Sequence, residues 1–130
     1  MLKRQKRRNT KAKVWGNSHK VVFAAMSKRN FYLREHIIKF VLEEGVTPTC
    51  AFMMFSYFLL DTVDRNKLID ANNDLIRKSD ELWVFGDISN GVVEEIRLAK
   101  SLDKPIKYYS LNARGKMFRL IKEEGCVYES

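Results

Sequence analysis

Five residues in two short stretches have the types and spacing to work on a phosphorylated sugar. Ser27 and Arg29 stand two apart after an apolar run, and Ser89, Gly91 and Glu95 fall in the stretch GDISNGVVEEIRLAK, residues 86–100. Ser27 and Ser89 offer hydroxyls, and Arg29 offers a guanidinium suited to phosphate. Gly91 lets a ligand approach the backbone, and the free N–H groups of a helix starting there point outward towards an anion. A phosphate held by Ser27, Arg29 and Ser89 would lay its sugar over Glu95. A carboxylate beneath an anomeric carbon can displace a nucleobase, leaving a glycosyl-enzyme intermediate for water or a second base to resolve.

The neighbouring glutamates are not equivalent. Val92, Ile96, Ala99 and Leu102 form an apolar stripe, and Glu95, three after Val92 and four before Ala99, lies on it. Glu94 shares its side with Arg97 and Ser101 and faces water. A carboxylate on an apolar stripe is unfavourable unless something uses or satisfies it. The positive end of the helix, where both glutamates are expected, would offset about 0.3–1 kcal/mol. Each feature alone has a plainer reading. A glutamate near a helix start commonly just complements the dipole, Ser-x-Gly is a common cap, and Ser27-Lys28-Arg29 can be a solvated turn. Their joint occurrence in two ligand-facing loops favours a site.

The elements that must position these residues can be read from the apolar pattern. VVFAAMS is a short buried strand, and NFYLREHIIKFVLEEG reads as a helix closed by Gly45. VTPT is at most a short strand because of Pro48. AFMMFSYFLLD reads as helical, Asp64 caps a helix running to Lys78, and ELWVFG is a second buried strand. A helix from Asn90 to Leu102 follows, then the strand KPIKYYSL, then a short helix around residues 117–122 and a tail or edge strand. Strands that are continuously apolar and alternate with helices indicate an α/β fold, with a mainly parallel sheet of about four to five strands covered on both faces. The expected architecture is a three-layer Rossmann/flavodoxin-like sandwich, in which ligands bind beyond the carboxyl ends of the strands. Both stretches that open this section lie there. Phe52, Phe55 or Tyr57 could stack on a base, or could instead belong to the core or a subunit interface.

Composition narrows the function classes. The 130 residues suit one domain, and 45% apolar content can supply a core. The net charge of +8 lies in residues 1–20, which hold eight basic residues and no acidic ones. Setting those eight aside leaves 16 of the 24 basic residues against 16 acidic ones, so residues 21–130 form a neutral domain carrying a basic arm. The arm is expected to be disordered in isolation and could tether nucleic acid or an acidic partner. Alternatively it is a solvated tail. Cys50 and Cys126 lack metal spacing. No secretory leader and no membrane span are expected, since the run at residues 51–60 is broken by Ser56 and far short of roughly 20 residues. A cytoplasmic setting is the simplest expectation.

VVFAAMSKR and NDLIRKSDELWVFGDISNGVVEEIRLAKSLDKPI, in this strand–helix order, resemble the nucleoside 2-deoxyribosyltransferase superfamily over residues 21–111. The Ser89-x-Gly91-x-x-x-Glu95 spacing is similar to that of the 2′-deoxynucleoside 5′-monophosphate N-glycosidases, as is Ser27-x-Arg29. By this resemblance Glu95 matches the nucleophile, and Ser27, Arg29, Ser89 and Gly91 match the phosphate and substrate contacts. The family aspartate eight residues before Asp80 is Asn72 here, at the position that handles the nucleoside and assists at the base. The glycine-rich turn after the first strand is reduced to Ala24-Ala25-Met26. The resemblance implies hydrolysis or transfer at the N-glycosidic bond of a (deoxy)nucleoside 5′-monophosphate, a homodimer whose sites a neighbour completes, no cofactor and no metal. The alternative is a nucleotide-binding module of the same fold without turnover.

Overall fold

The structure, a computed structural model, describes residues 18–112 and 118–129. Residues 1–17 of the basic arm, and Met117, lie outside the described residues.

The chain runs β1 (Val21–Met26), a 3-10 turn (Lys28–Leu33), α1 (Arg34–Glu43) and β2 (Thr47–Thr49). It continues through α2 (Ala51–Met54), α3 (Tyr57–Thr62), α4 (Arg65–Lys78) and β3 (Glu81–Phe85). Last come α5 (Asn90–Ser101), β4 (Ile106–Leu111), β5 (Phe118–Ile121) and a 3-10 turn (Glu123–Gly125). The five strands form one sheet in the order β2-β1-β3-β4-β5. The first three pairings are parallel, and β4 with β5 is antiparallel, so the sheet is mixed.

Strand pleating sends alternate residues to opposite faces, and both faces are covered, which is why β1, and β3 after Glu81, are apolar throughout. Val22, Ala24, Met26, Trp83, Phe85 and Tyr109 meet Leu33 and the α1 residues Ile37 and Val41. On the other face Phe23, Ala25, Leu82, Val84 and Tyr108 meet Ile76 of α4 and Val92, Ile96 and Ala99 of α5. Asp64 caps α4 as expected, its Oδ1 accepting from the Asn66 amide at 2.7 Å. Gly45 closes α1 with φ +84°, a conformation that favours glycine.

Three expectations change. The helix expected from Asn30 begins at Arg34, because Ser27 caps a tight 3-10 turn first. The aromatic segment divides at Phe55 and Ser56 into α2 and α3. The short helix expected around residues 117–122 is strand β5. Periodicity cannot separate helix from strand over so short an apolar run. Pairing decides it: β5 covers the otherwise open edge of β4, and Phe118 packs against Phe40 and Phe85 at 4.9 and 5.6 Å between centroids.

Candidate functional site

β1 and β3 are adjacent and parallel, with Met26 opposite Phe85, so the chain leaves both strands at the same edge of the sheet. Ser27 follows β1 directly and is 2% exposed. Its Oγ accepts from the Arg29 amide at 3.2 Å, which shapes the turn. Ser89, after β3, is the N-cap of α5, its Oγ accepting from the Val92 amide at 3.3 Å. Both expected hydroxyls therefore stand at neighbouring strand ends, already engaged in shaping their loops. Gly91 sits in the first turn of α5, and a Cβ there would meet nothing closer than Ser89 Oγ at 3.9 Å. Nothing within the fold requires glycine at that position.

The α4 and α5 helices cover the same face of the sheet, and this brings Asn72 to Glu95. The Asn72 amide Nδ2 donates to Glu95 Oε2 at 2.8 Å. Glu95 is half-buried as a residue, and its carboxyl group lies deeper than the rest. Burial pushes its pKa up from 4.5 to about 7, against the opposing hydrogen bond from Asn72. Nearby, Cys50 is buried and burial raises its thiol pKa, with the Glu95 charge adding in the same direction. Glu94 is exposed and pairs with Arg97 at 3.0 Å, so the two glutamates differ as their stripe positions require.

One energetic expectation is overturned. Because α5 starts at Asn90, no acidic residue lies in its first turn. Glu95 stands a turn further in, where dipole stabilisation has fallen off. The carboxylate depends on Asn72 instead. Asp74, two residues along, is exposed and tied to Arg77 at 2.9 Å.

Arg29 is placed differently from the Ser27–Arg29–Ser89 cluster that the spacing suggested. Its side chain is 69% exposed, and Nε lies 3.7 Å from Oε1 of Glu129. Among the described residues, no hydrogen bond or ion pair joins Glu95 to Ser27, Arg29 or Ser89. Arg29 lines an open cleft of about 510 Å³ together with Asn30, Asp87, Ser110, Asn112 and Glu129. Glu129 escaped sequence reasoning because no local pattern ties residue 129 to the loop after β3. The role of Gly86, which opens that loop, emerges only in the structure. Its φ is +79°, and a Cβ would stand 2.6 Å from Asn30 Nδ2 and 3.0 Å from Leu111 Cδ1. A glycine directly after a buried strand was the available signal.

Phe52 and Tyr57 both pack against Phe31, at 5.2 and 5.6 Å between centroids, while Tyr57 and Phe58 remain largely exposed. Among the described residues, no group of three or more His, Cys, Asp or Glu side chains could hold a metal ion, and no helix is long and apolar enough to cross a membrane.

No curated protein matches the chain. The family model described as "Domain of unknown function (DUF7768)" matches residues 21–109, and the chain belongs to that family.

Proposed function

We propose that this family member binds a (deoxy)nucleoside 5′-monophosphate at the carboxyl edge of the sheet and cleaves or exchanges its N-glycosidic bond through Glu95. The observation that carries the reading is the Asn72–Glu95 pair: a carboxylate set deep between two helices, held by one amide and raised to about 7. A carboxylate kept in such surroundings is characteristic of a reacting group rather than a surface charge. Ser27, Ser89 and the glycine backbone at Gly91 would receive the phosphate and its neighbouring sugar, with Arg29 turning from Glu129 to join them. The strand order β2-β1-β3-β4-β5 is that of flavodoxin-like sheets, with the antiparallel β5 as a departure, and it supports a ligand site at the β1/β3 switch point. On this reading the fold is a three-layer Rossmann/flavodoxin-like sandwich.

In the proposed reaction the ionised Glu95 carboxylate attacks the anomeric carbon. The bond to the base breaks, and its electron pair leaves with the base. Water, or a second base in a transfer reaction, then attacks the same carbon and frees Glu95. Asn72 orients the carboxylate but has no acidic proton to give. The departing base must therefore take its proton from water or another group.

That same substitution favours the second reading, a nucleotide-binding module without turnover. Free base would be measured after incubation with a panel of monophosphates. Release by the wild type, abolished in Glu95→Gln and retained in Glu94→Gln, supports the enzyme. Tight binding with no base released from any of them supports the module. Because the nucleophile must be ionised, release should rise with pH through about 7. A homodimer, a cytoplasmic setting, and contact of residues 1–20 with nucleic acid or an acidic partner belong to the same proposal.

A further inference from the structure

The segment after β5 returns to the loop that precedes α5. Ile88 donates its amide to the Val127 carbonyl at 2.8 Å, and the Glu129 amide donates to the Ile88 carbonyl at 2.8 Å. Ile88 and Tyr128 thereby form a parallel bridge. This places Glu129 over the cleft with its side chain only 12% exposed, Oε1 3.7 Å from Arg29 Nε. Its other oxygen, Oε2, is buried and finds no donor among the described residues. A carboxylate so enclosed and so loosely paired is poorly satisfied. It sits where it neutralises the cation that a phosphate would use.

We propose that the segment 126–129 is an internal competitor: Glu129 holds Arg29 in place of a ligand's phosphate and must withdraw before an anion binds there. The proposal rests on the reading of Arg29 as a phosphate contact. The long ion pair to an exposed arginine makes the competitor weak and readily displaced. The apparent affinity of an anion falls by the fraction of molecules in which Arg29 is available, so the expected penalty is about two- to fivefold. The bridge to Ile88 links withdrawal of Glu129 to the loop carrying Ser89, so binding should also loosen that pairing.

The full chain and its Glu129→Gln and Glu129→Ala variants are titrated with inorganic phosphate and with a deoxynucleoside monophosphate, and amide exchange is followed at residues 88 and 129. The expected result is about two- to fivefold tighter monophosphate binding by both variants, with faster exchange at both amides in the saturated wild type. Equal or weaker binding by the variants, or undiminished protection at saturation, overturns the competitor. Tighter binding of inorganic phosphate by the variants, without any preference for the monophosphate, upholds the competitor and removes the nucleotide reading. No binding of either anion by any of the three proteins overturns both.

Discussion

At the scale of single residues, Glu95 makes opposite demands on stability and on chemistry. Its native pKa of about 7 lies above the ordinary 4.5, so the native state holds the proton more tightly than the unfolded chain. Stability from this group is fully present below about pH 4.5, declines as pH rises, and is gone above about pH 7. The loss amounts to about 3 kcal/mol at most. Glu95→Gln should thus be more stable than the wild type near pH 9 and nearly equal near pH 4, as measured by denaturant unfolding at both pH values. Asn72→Ala should act in the other direction. Loss of a donor to a charged group lowers stability by about 1.5–3 kcal/mol at high pH and moves the Glu95 titration further up, which NMR of the carboxyl carbon would record. Asn72→Asp would set a second acid against Glu95, able to protonate the departing base of the proposed reaction, and should raise base release.

At the scale of elements, the two glycines beside β3 and α5 separate folding from function. Gly86→Ala meets a left-handed backbone and a close Asn30, and should lower stability by roughly 1–3 kcal/mol. Gly91→Ala meets only an ordinary contact with Ser89 Oγ in a helical turn and should raise stability by about 0.5 kcal/mol, while weakening nucleotide binding. Thermal unfolding and ligand titration of the two variants would show this crossing of effects; equal ligand affinity in Gly91→Ala would remove the site from above α5. The sequence made β1 and β3 legible through continuous apolar runs, α4 and α5 through capping residues and an apolar stripe, and β4 through its start after Pro105. It failed at β5, where four residues are too few for a period and the partner strand decides.

At the scale of the whole molecule, the basic arm meets the body through a specific tie. Lys20 Nζ lies 2.7 Å from Glu81 Oε2, and Trp83 Nε1 donates to Glu81 Oε1 at 2.9 Å. Burial would raise the Glu81 pKa, but these bonds and the Lys20 charge outweigh it and hold the pKa low. Removing residues 1–17 should abolish any salt-dependent binding of nucleic acid. Removing residues 1–20 should also lower the melting temperature, since a buried carboxylate loses its cation. Filter binding at two salt concentrations and calorimetry of both truncated chains would check this.

What the sequence by itself determined is local: which long runs are buried, where the helices after Asp64 and Ser89 start, which glutamate lies on the apolar stripe, and that the charge excess sits in residues 1–20. The Glu94/Glu95 distinction needed only the helical period, which every residue of α5 obeys. What the tertiary structure decided is which distant residues meet. Asn72 is 23 positions from Glu95, and their contact exists only because α4 and α5 share one face of the sheet. Arg29 and Glu129 are farther apart still, joined by a bridge between a loop and a short segment with no periodic signal. Periodicity records how each element meets the core. It carries no record of which element lies beside which, and a site shared between elements depends on that.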